Sequence, residues 1–191
     1  AKISETGVKI FLDLKFHDIP NTVSGAIKAS LKLCPYMLTV HLSGGYNMLC
    51  STIKTVTDYC EEHNLIKPLI LGVSVLTSID NSDFNSLGIS GSVEDQVKRL
   101  ADLAIKSGLD GLVCSAKELS FIKEHVKDDL LIVTPGIRPK GTNINDQKRI
   151  VTPFEAIKCG ANFLVIGRPI TGAQDPEIAL NNICLDIENE K

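Results

Sequence analysis

Apolar, β-branched runs recur along this chain at residues 8–12, 37–42, 69–76, 111–114, 130–133 and 163–166, and a stretch of helical periodicity follows each one. The helical stretches open near Thr22, Gly45, Val93, Lys117, Thr152 and Pro176. Repeated β-α alternation of this kind predicts a parallel sheet with helices packed outside it. No low-complexity linker or shift in composition interrupts the alternation, so residues 1–191 read as one domain. A hydrophobic content of 43% and a charged content of 23% suit a globular chain with a sizeable core. The net charge of −3 offers no basic footprint for nucleic acid. No apolar run approaches the roughly 18 residues that suggest a membrane span. The six cysteines include no C-x-x-C pair, and most sit within helical or strand patterns. They read as thiols of a reducing, cytoplasmic compartment.

The ends of the apolar runs carry the polar residues: Asp13 and Lys15, His41 and Ser43, Thr77 and Ser78, Ser115, Arg138 and Arg168. In a β/α barrel the active site lies where strands end and the next loops begin, and phosphate is commonly held by the loops after strands seven and eight. The last two runs here lead into Pro135-Gly136-Ile137-Arg138-Pro139 and Gly167-Arg168-Pro169. A glycine lets backbone N–H groups approach an anion, and arginine supplies a charged fork. If these loops are the phosphate site, the visible runs are strands three to eight of a (β/α)8 TIM barrel. Two β-α units are then expected before Ala1, since a whole barrel takes about 250 residues. Two loops are long, residues 77–92 and 138–151, and both suit binding loops or lids.

The stretch from Asp13 to Thr22 carries the densest chemistry. Side chains two apart on a strand share a face, so Asp13 and Lys15 are expected as neighbours where the 8–12 run ends. Asp18 follows, and Pro20, Asn21 and Thr22 open a helix. Alternating charges at a strand-to-helix junction point to a preorganised electrostatic site.

With Val40-His41-x-Ser43-Gly44-Gly45, Val75-Leu76-Thr77-Ser78, Gly111-Leu112-Val113-Cys114-Ser115, the Gly-x-x-x-x-Asp-Gln pattern at 141–147 and Ile166-Gly167-Arg168-Pro169, this stretch resembles the bacterial-type orotidine 5′-phosphate decarboxylases. The matches span nearly the whole chain in the family's order. The resemblance implies a β/α-barrel homodimer that removes CO2 from orotidine monophosphate to give uridine monophosphate, without metal or organic cofactor. It implies that Lys15 gives the proton to C6 and that Asp13 sits beside the substrate carboxylate. Asp18 is implied to reach across the dimer interface, with Ile19 and Thr22. Leu14, Phe16, His17, Pro20 and Asn21 are implied around the substrate, and Thr77 near the base. Arg138, Gly167 and Arg168 are implied to hold the phosphate, and Gln147 to bridge phosphate and base.

The chain departs from the family in two places. The family's charged array begins with a lysine one strand earlier, and a ribose-binding aspartate ends the first strand. Neither can be assigned to a residue here, so residues 1–191 alone are expected to be inactive or poorly folded. Two rivals share part of the pattern: a metal-dependent sugar-phosphate decarboxylase of the same barrel family, and a noncatalytic phosphate-ligand-binding barrel fragment. His41 reads as a structural histidine, Gly44-Gly45 as a tight turn, and Thr77-Ser78 equally as helix-cap chemistry. No His, Cys and carboxylate cluster has zinc-ligand spacing.

Overall fold

The computed structural model describes residues 3–127, 130–139 and 151–189. Its strands are β1 (Phe11–Phe16), β2 (Met37–His41), β3 (Leu69–Val73), β4 (Gly111–Val113), β5 (Leu131–Pro135) and β6 (Phe163–Val165). All neighbours pair in parallel and in chain order, which makes a six-stranded half-barrel. Helices α1 (Pro20–Leu31) and α2 (Tyr46–Glu62) follow the first two strands. Helices α3 (Asn81–Leu87) and α4 (Val93–Lys106) lie between β3 and β4. Helices α5 (Leu119–Val126) and α6 (Pro153–Lys158) follow β4 and β5, and α7 (Arg168–Thr171) and α8 (Pro176–Asn189) follow β6.

The two-residue period of each strand divides the core. Leu38, Val40, Ile70, Leu112 and Ile132 face outward and pack with helix residues such as Ile27, Leu49, Val97 and Ile122. Met37, Leu71, Val73, Val113 and Val133 form a separate cluster on the inner face, flanked by Phe11, Leu69 and Phe163. Side chains just before the strands hold the ladder at its N-terminal edge. Asp110 accepts from the Ile70 N–H at 2.7 Å, and Asn162 from the Ile132 N–H at 2.8 Å.

Among the differences from the sequence reading, three bear on the site edge. β1 lies further along than residues 8–12: its ladder register with β2 begins at Phe11↔Met37. β3 stops at Val73, where the Ser74 N–H bonds the Val113 carbonyl at 3.1 Å. Within the expected loop of 77–92 stands α3, closed by an Asp80/Asp83 capping box and by Gly88 in the left-handed conformation.

Candidate active site

The strand that opens the site is irregular. β1 pairs with β2 at Phe11↔Met37 and Leu12↔Leu38, and pairing resumes at Phe16↔Val40. Asp13, Leu14 and Lys15 therefore bulge out opposite the single residue Thr39. Lys15 sits at φ 49, a left-handed conformation that costs a non-glycine residue about 1–2 kcal/mol. Its N–H turns to the Thr39 hydroxyl at 2.9 Å. That hydroxyl donates in turn to Asp13 Oδ1 at 2.8 Å. The other Asp13 oxygen, Oδ2, takes a hydrogen bond from the Lys15 ammonium. Thr39 is fully buried, whereas the Lys15 and Asp13 side chains stay 37% and 41% exposed. The ion pair is thus fixed from below and open above.

His17 and His41 stand beside this group, their rings 5.3 Å apart and tilted by 40°. Burial lowers the His41 pKa from its ordinary value, and the nearby His17 and Lys15 lower it further against the opposing pull of Asp13. Of the other implied residues in this stretch, Phe16 packs into the outer core, and Leu14 is 52% exposed. Asp18, Ile19, Pro20, Asn21 and Thr22 are all exposed at the start of α1. Asp18 Oδ1 accepts from the Ile19 N–H at 2.7 Å.

A cleft of about 740 Å³ opens at the C-terminal ends of β3, β4 and β5. Thr77, Asp80, Ser115, Lys117, Glu118 and Gly136 are among its lining residues. Thr77 thus lies where a strand-end site is expected, but Lys15 and the two arginines are not part of this lining. Parallel order puts all of them on the same edge of the sheet. Arg138 follows β5; its Nη1 donates to the Ile137 carbonyl at 2.9 Å and its backbone N–H to the Val151 carbonyl at 3.2 Å. Exposed Arg168 opens α7, and the carbonyl of Gly167 accepts from the Ile170 and Thr171 N–H groups. Gln147, and the loop that carries it, lie outside the described residues. Among the described residues no group of three or more His, Cys, Asp or Glu side chains could hold a metal ion.

The sequence reading missed two residues that organise this edge. Thr39 is the lone hydroxyl in the apolar β2 run, two residues before His41 and so on the same face. Such a group must find a partner when buried. Glu118 is the other. Its carboxylate is buried and accepts from the Ser115 N–H at 2.8 Å, which ties down the turn after β4.

Comparison with known proteins gives one consistent picture. Residues 1–183 match the profile of the "Orotidine 5'-phosphate decarboxylase / HUMPS family". An orotidine 5'-phosphate decarboxylase of Vibrio cholerae serotype O1 is 48% identical over 182 residues, which is 95% of this chain and 77% of that protein. The Rhodospirillum rubrum protein of the same name is 49% identical over 178 residues, 93% of this chain and 72% of that one. The crystal structure of orotidine 5'-phosphate decarboxylase from Lactobacillus acidophilus superposes with a TM-score of 0.84 at 39% identity, covering 97% of this chain and 78% of that one.

Proposed function

The chain belongs to the orotidine 5′-phosphate decarboxylase / HUMPS family, and from that premise we propose that it converts orotidine 5′-phosphate to uridine 5′-phosphate in pyrimidine biosynthesis. The observation that carries the reading is the Lys15 ammonium held beside Asp13 at the end of β1, on the sheet edge that also bears Arg138 and Arg168. In the proposed step the C6–carboxylate bond breaks and CO2 leaves. The electron pair stays on C6 as a vinyl carbanion that the ring cannot delocalise. The fixed ammonium stabilises that charge and then passes one proton to C6, and the resulting amine regains a proton from solvent. Asp13 lies beside the departing carboxylate, and the positive charge carries most of the stabilisation. No metal or organic cofactor enters the step.

Arg138 and Arg168, with Gly167, hold the phosphate. Binding energy from that remote group, and from Gln147 reaching over it, closes the site and excludes water. Thr77 lies near the base, and Leu14, His17, Pro20 and Asn21 shape the pocket floor and wall. The working form is a cytoplasmic homodimer in which Asp18, Ile19 and Thr22 serve the neighbouring site. Their exposure at the start of α1, with Ile19 67% exposed, supports this assignment. On this reading residues 1–191 supply the last six of eight β-α units, and the segment is inactive by itself.

The test is loss of orotate absorbance catalysed by the full-length protein. Lys15→Ala is expected to lower kcat by at least ~10³-fold, and Arg168→Ala to lower kcat/KM by roughly 10²-fold or more. Unchanged kcat/KM in Arg168→Ala sinks the phosphate assignment, and an active Lys15→Ala protein sinks the mechanism. The rival is a metal-dependent sugar-phosphate decarboxylase of the same barrel family; turnover that a chelator abolishes and magnesium restores supports that reading instead.

A further inference from the structure

We propose that Thr39 is a positioning residue for the Asp13–Lys15 pair, acting through its hydroxyl on the reaction rate and not on substrate affinity; this rests on the decarboxylase reading above. A hydroxyl has one proton to give and lone pairs to receive. Thr39 gives its proton to Asp13 Oδ1 at 2.8 Å and receives the Lys15 N–H at 2.9 Å. The direction of both bonds is therefore set: an N–H cannot accept, so the hydroxyl proton goes to the carboxylate. One buried atom holds the backbone of the residue that carries the ammonium and the carboxylate that orients it.

The geometry explains why this atom matters more than its size suggests. The bulge removes Lys15 from regular pairing with β2, and its φ of 49 needs a bond elsewhere to persist. The Thr39 hydroxyl is that bond. Thr39 itself is fixed on a regular stretch, with Leu38 paired to Ile70 and Val40 to Gly72 on either side. Being β-branched, it also has a restricted χ1. The ion pair is therefore referenced to the middle of the sheet, although β1 pairs on one side only among the described residues. Without the hydroxyl, the Asp13–Lys15 bond remains possible, but both groups gain freedom, and a displacement of about 1 Å at a reacting group costs on the order of 10²-fold in rate. The arginines assigned to the phosphate follow other strands, β5 and β6, so the substrate still docks.

The experiment compares Thr39→Val and Thr39→Ser with the wild type in the full-length protein. It reads kcat, KM for orotidine 5′-phosphate and the melting temperature. Thr39→Val keeps the shape and removes the hydroxyl. It is expected to lower kcat by ~10–100-fold while KM stays within ~3-fold. Thr39→Ser restores the hydroxyl and is expected to keep kcat within ~5-fold of wild type. A folded Thr39→Val with kcat within about twofold of wild type overturns the proposal. So does a Thr39→Ser protein as slow as Thr39→Val, because a hydroxyl at this position would then fail to restore the rate. Should Thr39→Val fail to melt cooperatively, Thr39→Ala, which adds no bulk, takes its place with the same outcomes. A wild-type protein with no decarboxylase activity overturns the functional reading itself, which separates the two failures.

Discussion

Burial outweighs hydrogen bonding at Glu118. The Ser115 N–H and hydroxyl both favour the charged carboxylate, yet burial pushes its pKa above the ordinary 4.5. The folded group therefore holds its proton at pH values where the unfolded one has lost it. Stability declines as pH rises from 4.5 and levels off once the folded group ionises. Glu118→Gln removes this titration and keeps an oxygen for the Ser115 N–H. The melting-temperature difference, variant minus wild type, is expected to grow as pH rises from 4.5 toward neutrality; a difference that shrinks contradicts the assignment. Asp13 and Lys15 were legible in the sequence as same-face neighbours, and the structure brings them together, through the bulge in β1 and not through a regular two-residue period. Thr39 and Glu118 were not. Each acts through a partner on another element or across a turn, and a strand pattern reports facing, not who faces whom.

At the scale of elements, β4 lies very close to both neighbours at Gly111, to the backbone of β5 and to a side chain of β3. A Cβ on Gly111 would meet the Leu131 carbonyl oxygen at 2.7 Å and Leu71 Cδ2 at the same distance. The carbonyl belongs to the ladder and cannot retreat without breaking it. Gly111→Ala is therefore expected to cost about 1–3 kcal/mol, read as a lower denaturation midpoint in urea with an unchanged slope. A neutral effect would mean that β4 and β5 can separate freely. The order and type of the strands, and the starts of α2, α4 and α6, were legible from apolar runs and caps such as Ser92 and Thr152. Helix α3 was not, because its seven residues bury Phe84 alone and show no helical stripe. Its Asp80/Asp83 capping box was the available signal, with Asp in place of the usual Glu. The displacement of β1 has a different cause: Val8 is as apolar as any strand residue, yet it is 58% exposed and lies outside the paired strand. Apolar runs show what can be buried; pairing decides what is strand.

For the whole molecule, the decisive fact is that β1 and β6 each pair on one side only among the described residues. Parallel sheets are ordinarily covered on both faces and avoid bare edges. Leu14 at 52% and Val165 at 37% exposure sit on these edges. Residues 1–191 expressed alone are expected to self-associate and to bind a hydrophobic dye, measured by sedimentation velocity and fluorescence. A dye-silent monomer contradicts this. The barrel reading came from loop order, with the Arg138 and Arg168 loops last in the chain, and so did not depend on any strand boundary. The bulge in β1 has a consequence for anyone who would move this chemistry to another scaffold. A regular strand spaces same-face side chains about 6.6 Å apart. Here the kinked segment crowds two opposite ions over a single threonine. Grafting Asp-x-Lys onto a straight strand copies the letters and loses the crowding; the irregularity must travel with them.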